Sequence, residues 1–103
     1  MNEYSIGATS VAWKICERLN ENRRENDEFD ISIGRDYIKI GRRFKDEFSL
    51  YCADGFLDIW DGTFYPSKSF TRMNKKSPIK YNFENIVSFL KQLTNKKSYD
   101  KEN

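Results

Sequence analysis

Two Asp-Gly pairs, at residues 54–55 and 61–62, divide the aromatic-rich stretch 50–65 into three short runs. Each pair is flanked by aromatic and β-branched residues, which favour strands. Asp-Gly is among the strongest short-range signals for a two-residue hairpin turn, because a type I′ turn requires positive φ at both central residues. The stretch therefore predicts three antiparallel strands that fold back on one another and that the rest of the chain must cover.

The segment before this stretch predicts two further strands, over 29–33 and 37–44, from its alternation of apolar and polar residues. A turn at 35–36 pairs Ile33 with Ile38 and keeps the isoleucines of both strands on one face, whereas a one-residue slip would separate them. The registers implied by all four turns agree with one another. They predict a five-stranded antiparallel meander.

One face of this meander is predicted to be dry, and Arg42 is the one charged residue that the registers place on it. The predicted dry face consists of Phe29, Ile31, Ile33, Ile38, Ile40, Phe44, Phe48, Leu50, Cys52, Leu57, Ile59 and Phe64. At least one helix is expected to cover this face, because an apolar sheet face must be buried against another element.

Apolar residues at helical spacing predict one helix on each side of the meander. Ser10 is the expected N-cap of the first, which extends to about Arg24, with an earlier start at Ser5 as the alternative. Asn82 is the expected N-cap of the second, which extends to about Thr94. The apolar stripes consist of Val11, Ala12, Ile15, Cys16 and Leu19 in the first helix and Phe83, Ile86, Val87, Leu90 and Leu93 in the second.

These elements predict the α+β class: an N-terminal helix, a five-stranded antiparallel meander and a C-terminal helix, with a single sheet layer against which helices pack. We expect one domain over residues 1–97, since 103 residues suffice for a single core. The polar residues 98–103 are expected to form a disordered tail. A helix–meander–helix outline is too generic to indicate a family.

The opposite face of the predicted sheet is unusually aromatic for a face that normally carries polar residues. The registers place Tyr37, Lys39, Gly41, Arg43, Tyr51, Phe56, Asp58, Trp60 and Tyr65 there. Three interpretations are open. A helix or loop covers the face as a second core layer, the face binds a protein or a second copy of the chain, or its aromatics stack on the bases of single-stranded nucleic acid.

A basic segment follows the sheet, and its cations are candidate electrostatic contacts. It contains Lys68, Arg72, Lys75, Lys76 and Lys80. A solvated loop is the simpler interpretation, and a contact for phosphates or for an acidic protein surface is the alternative. The net charge of the whole chain is only +2, so overall charge gives no argument for nucleic acid.

The composition offers little to catalysis. The chain has no histidine, which removes the commonest general base and metal ligand. Turn formation explains Asp54 and Asp61, which leaves Asp58 alone, and two cysteines do not complete a zinc site. We therefore expect no enzyme activity, no catalytic residues, no cofactor and no metal.

The sequence contains neither a long apolar run nor a signal-peptide pattern, and its two cysteines are expected to be reduced thiols. These features favour a cytoplasmic protein that makes no membrane contact. A composition rich in residues with AT-rich codons suggests a phage or mobile element as the source. Our hypothesis is a small inhibitor that binds a host nucleic-acid-handling or defence complex, anti-CRISPR-like in role. The alternatives are a single-stranded nucleic-acid-binding protein and a homodimer built through the aromatic face.

Overall fold

The structure is a computed structural model, and it describes residues 3–69, 72–73, 78–79 and 83–95. The elements are α1 (Glu3–Asn20), β1 (Asp27–Ile33), β2 (Tyr37–Phe44), β3 (Cys52–Asp58), β4 (Phe64–Ser69) and α2 (Phe83–Asn95). The α+β class with two helices is confirmed. The expected N-cap Asn82 and the expected disordered tail lie outside the described residues.

The sheet is antiparallel, and its four strands lie in the order β1-β2-β3-β4. A two-residue segment, Arg72–Met73, pairs with the end of β4 and is too short to count as a fifth strand. The predicted five-stranded meander is wrong because its third and fourth strands are one continuous strand, β3, which passes through Asp54 and Gly55 without turning.

The first Asp-Gly pair lies at a β-bulge between β2 and β3. Gly55 lies opposite Ile40, whereas the next residue of β2, Gly41, lies opposite Ala53, so Asp54 is the extra residue. A bulge bends a strand without reversing it. The glycine is needed for space, since a Cβ on Gly55 would lie 1.9 Å from the Phe64 ring.

The second Asp-Gly pair does lie in a turn, and Gly62 has a positive φ (76°), but Asp61 does not, so the turn is not the predicted type I′ turn. The loop is longer than the predicted two residues, since the N–H of Asp58 donates to the Thr63 carbonyl across it (2.8 Å). Leu57 therefore pairs with Phe64, whereas a two-residue turn at residues 61–62 would have paired Ile59 with Phe64.

The β1–β2 hairpin confirms the predicted register, with Ile33 opposite Ile38 and Ile31 opposite Ile40. At the free edge of β1, side chains form hydrogen bonds with the backbone N–H and C=O groups of the strand. The N–H of Phe29 donates to Asn20 Oδ1 (2.8 Å), and Asn20 Nδ2 donates to the Phe29 carbonyl (3.0 Å). The side chain of Asn20, the last residue of α1, thus makes the two hydrogen bonds that a neighbouring strand would make with Phe29.

Both helices contribute to one core on the same face of the sheet. The core contains Ala8, Ala12, Ile15, Cys16, Leu19, Phe29, Ile38, Ile40, Leu57, Ile59, Phe64, Ile86, Val87 and Leu90. Both predicted helix stripes are therefore largely confirmed, although α1 begins before either expected cap. Three residues of the predicted dry face are instead exposed: Ile33, Phe44 and Phe48.

Both cysteines are free thiols. Burial, the largest cause, together with nearby carboxylates raises the pKa of Cys16 to about 12, and burial raises the pKa of Cys52 as well. Both thiols therefore stay protonated near neutral pH. Within the described residues, no helix has the length and apolar character needed to cross a membrane.

Candidate interaction face

Three of the predicted site residues form an aromatic cluster on the sheet face away from the helices. Tyr37, Phe56 and Tyr65 lie there because the neighbours of each along its strand, such as Leu57, point into the core. The Tyr37 ring meets the rings of Phe56 and Tyr65 edge-on, with centroids 6.5 Å and 6.2 Å away. Such T-shaped contacts hold rings in defined positions. We call these residues the aromatic cluster.

The cluster has a buried centre and accessible sides. Phe56 is only 6% exposed, whereas Tyr37 and Tyr65 are half-buried. Burial and then the charge of Asp58, Asp36 and Asp61 raise the pKa of Tyr37, so its hydroxyl is neutral under physiological conditions. The buried Phe56 thus lies beside two tyrosines that are partly accessible to solvent.

Lys39 lies beside the cluster, between Ser32 of β1 and Phe56 of β3. It lines two shallow hollows of about 280 and 350 Å³ on this face. None of the described carboxylates lies within ion-pair distance of it. Lys39 is therefore a cation available to a partner.

Arg43, the second predicted cation of this face, is already engaged. Its guanidinium forms ion pairs with Glu28 and Asp30, the latter at 2.7 Å, and donates to the Glu47 carbonyl at 2.8 Å. These contacts tie β2 to β1 and to the following loop.

Gly41, also predicted on this face, allows the close approach of β3, because a Cβ there would lie 2.0 Å from the Cys52 carbonyl oxygen.

Tyr51 is not on this face, contrary to the prediction. Its ring stacks on Phe44, with centroids 4.3 Å apart, and its hydroxyl donates to Asp27. The predicted position depended on an Asp-Gly turn that the chain does not make. Tyr51 instead belongs to the helix-facing side, beyond the end of the core.

Trp60 belongs to the β3–β4 loop rather than to the sheet face, whereas Asp58, the last residue of β3, lies opposite Tyr37 on the predicted face. Trp60 is 52% exposed, and its indole N–H donates to Asp36 in the neighbouring hairpin turn (3.2 Å). Asp58 Oδ1 accepts the backbone N–H groups of Trp60 (2.7 Å) and Asp61 (3.2 Å). Asp58, for which turn chemistry predicted no role, therefore organises the loop.

The basic segment adds no side-chain geometry to the site. Only the backbone of Lys68 and Arg72 is described, and Lys75, Lys76 and Lys80 lie outside the described residues. Their proposed electrostatic contacts remain predictions.

A buried ion pair on the helix-facing side was not predicted from the sequence. Arg42 donates from Nε and Nη2 to the two oxygens of Asp54, at 2.9 and 2.7 Å, and also from Nη2 to Cys52 Sγ at 3.3 Å. The side chains are 11% and 2% exposed. Burial lowers the pKa of Arg42, and Asp54 raises it by more than that, so the guanidinium stays charged. The sequence did contain a signal for this ion pair, since Arg42 is the one charged residue on the predicted dry face and a buried charge needs a partner.

A second ionic group lies nearby, at the start of β1. Asp27 is only 4% exposed and accepts hydrogen bonds from Arg23 Nε (2.8 Å) and from the Tyr51 hydroxyl. Burial, the largest cause, and the Asp27 carboxylate raise the pKa of Tyr51 to about 12. The Tyr51 hydroxyl is therefore protonated in the folded protein near neutral pH.

The Tyr51 hydroxyl gives a pH-dependent prediction. We expect Tyr51→Phe to cost about 1–2 kcal/mol at pH 8, because Asp27 loses a hydrogen-bond donor. A raised pKa stabilises the fold below the unfolded value near 10, and this contribution is lost as pH rises to about 12. Urea unfolding of both proteins from pH 8 to 12 measures the difference. A difference that stays constant over this range would contradict the assignment.

The described residues contain no group of three or more side chains suited to a metal ion. Comparison of the chain with protein-family models, with curated proteins and with solved structures finds no match.

Proposed function

We propose that the protein is a non-enzymatic binding module whose aromatic cluster and Lys39 contact another protein. The carrying observation is that α1 and α2 both contribute to the core on the other side of the sheet, while this face presents two half-buried tyrosines beside an available cation. Tyrosines held over an apolar support are typical energetic anchors of protein interfaces. Lys39 would set the orientation of an acidic partner surface.

Several features favour a protein partner over single-stranded nucleic acid. Base stacking needs open ring faces and several free cations. Here Phe56 is buried, Tyr51 lies elsewhere, and Arg43 is engaged by two carboxylates. Among the described residues, the face therefore offers two partly accessible tyrosines and one cation outside the ion pairs, Lys39, which suits a protein surface better than a chain of phosphates.

The more specific role that we propose is inhibition of a host nucleic-acid-handling or defence complex by a protein of phage or mobile-element origin. Its support is a composition rich in AT-coded residues and the absence of histidine from the sequence. A small inhibitor needs only one well-formed binding face, and the aromatic cluster would supply it.

The interface prediction is tested with single substitutions after the partner has been captured from a lysate of the host and purified. We expect Tyr65→Ala and Lys39→Glu each to weaken binding about tenfold, equivalent to about 1.4 kcal/mol. Trp13→Ala is the matched control, since Trp13 is exposed on α1, away from this face. Calorimetry measures the affinities, and circular dichroism verifies folding.

Two results would contradict the proposal. One is a partner that tolerates both face substitutions but is lost with Trp13→Ala, which would move the interface to the helices. The other is salt-sensitive binding of a single-stranded oligonucleotide that disappears with Lys39→Glu, which would favour nucleic acid instead.

A further inference from the structure

The two hollows beside the aromatic cluster adjoin each other, because Ser32 and Lys39 line both of them. The first, which we call the turn hollow, lies towards the β1–β2 turn. Its other described lining residues include Arg35, Tyr37 and Phe56. The second, which we call the loop hollow, lies towards the loop that follows β2. Its other described lining residues include Phe48, Leu50 and Ala53. We call the two hollows together the trough.

Each hollow combines apolar surface with access from solvent. Phe48 is fully exposed at the loop hollow, although it is aromatic, and Phe56 is buried at the turn hollow beside the half-buried Tyr37. The volumes of about 280 and 350 Å³ lie near the lower end of the range for small-molecule pockets, roughly 300–1,000 Å³. A single apolar side chain therefore suits each hollow better than a whole cofactor does.

The charge that lines the trough is positive overall. Arg35 and Lys39 take part in none of the ion pairs among the described residues. Asp36 is the one carboxylate in the described lining, and it accepts the indole N–H of Trp60. One positive charge of the trough is therefore left without a counter-charge.

The carboxylates on the strands of this face cannot supply that counter-charge without giving up other contacts. Asp30 and Glu28 both form ion pairs with Arg43, and Asp58 accepts two backbone N–H groups of the β3–β4 loop. A positive trough whose neighbouring carboxylates are already engaged is complementary to a negatively charged partner.

The positions along β2 indicate how such a partner would lie. Tyr37, Lys39 and Gly41 share one side of the strand, so successive positions on this side are about 7 Å apart. An extended peptide has the same spacing between its alternate side chains. An acidic residue opposite Lys39 would therefore be flanked, two residues before and two residues after, by side chains that reach the two hollows.

We infer that the trough binds an extended acidic segment of the partner protein, in which one Asp or Glu lies between two apolar residues. The inference rests on the protein-binding role proposed above and specifies the chemistry of the partner. The carboxylate pairs with Lys39, and one apolar side chain occupies each hollow. Because Lys39 is half-buried, this ion pair is partly shielded from water, which strengthens it.

The test is selection from a display library of random linear peptides against the immobilised full chain. We expect the wild-type chain to select a motif in which an acidic residue lies between two apolar residues. The Lys39→Glu chain should select a basic residue at the central position, because the charge that the peptide meets is reversed. Lys14→Glu is the matched control, since Lys14 is exposed on α1, and it should select the wild-type motif.

Calorimetric titration with the most enriched peptide then tests the two contacts separately. We expect about tenfold weaker binding in Lys39→Glu and in Phe48→Ser, and unchanged binding in Lys14→Glu. Phe48 is fully exposed, so its replacement removes nothing from the core, and circular dichroism verifies that each variant folds.

Two results would overturn this inference and leave the proposed function standing. One is a selection that enriches no motif, which would mean that the face takes a folded surface rather than a segment. The other is a motif without an acidic residue whose binding is still weakened by Tyr65→Ala. An enriched peptide that tolerates Lys39→Glu, Phe48→Ser and Tyr65→Ala alike would instead overturn both, because the face would not be the binding surface.

Discussion

Replacing Gly55 with alanine is expected to destabilise the fold by about 3 kcal/mol, at the upper end of the range for overpacked cores. A Cβ at this position would lie 1.9 Å from Cζ of Phe64 and 2.5 Å from Cε1. Phe64 is fully buried between the sheet and α2, where its ring meets Phe89 at 6.0 Å, so it has little room to move. Urea unfolding followed by circular dichroism measures the loss.

Two matched variants separate crowding from a general effect of removing glycine. Gly7→Ala is expected to be neutral or to stabilise by up to about 1 kcal/mol, because Gly7 lies inside α1 and a Cβ added there would meet no atom within 4 Å. Adding Phe64→Leu to Gly55→Ala should recover part of the loss, since a smaller side chain makes room. If both alanine variants are equally stable, the close contact with Phe64 is not a constraint on the fold.

Replacing Asp54 with alanine is expected to cost about 3–5 kcal/mol, the usual penalty for leaving one member of a buried ion pair without its partner. Arg42 would retain its charge with only 11% of its side chain exposed, and the hydrogen bond to Cys52 Sγ is a poor substitute for a carboxylate. Thermal and urea unfolding near neutral pH measure the effect.

The double variant Arg42→Met, Asp54→Leu is the decisive control. Replacing both members of a buried ion pair by apolar residues of similar volume is often neutral, so the double variant should be more stable than Asp54→Ala alone. The exposed pair Arg18–Glu84 gives the contrast, since Glu84→Ala should change stability by less than about 1 kcal/mol. A double variant as unstable as Asp54→Ala would mean that the bulge, rather than the charge, sets the cost.

The β1–β2 hairpin could be predicted from sequence because its register follows from the alternation of apolar and polar residues. Ile31 and Ile33 alternate with polar residues, as do Ile38 and Ile40, and a one-residue slip would put the two pairs on opposite faces. The helix stripes could be predicted for the same reason. Patterns that repeat over several residues constrain the fold more than any single turn signal does.

The first Asp-Gly pair misled the prediction because two different requirements select the same residues. A type I′ turn favours Asp-Gly for its backbone angles, whereas here Asp54 is needed as the partner of Arg42 and Gly55 as space for Phe64. These partners lie 12 and 9 residues away along the chain, and local turn chemistry contains no information about them.

The residues of the aromatic face were predicted only in part. Tyr37, Phe56 and Tyr65 were placed correctly because each neighbours a core residue in its strand, and strand alternation then fixes its side. Tyr51 was misplaced through the false turn, and Trp60 because β3 ends at Asp58. The engagement of the cations on this face could not be predicted, since ion pairing across strands depends on side-chain geometry.

The contact between Asn20 and β1 has a consequence for how molecules of this protein meet. β1 is the first strand of the sheet, and an uncovered edge strand invites another strand to pair with it. Asn20 already occupies both backbone groups of Phe29, and the Asp30 carboxylate accepts the N–H of Ile31 (2.8 Å). An incoming strand would have to displace these side chains, so the edge resists fibril-like stacking and strand exchange between copies.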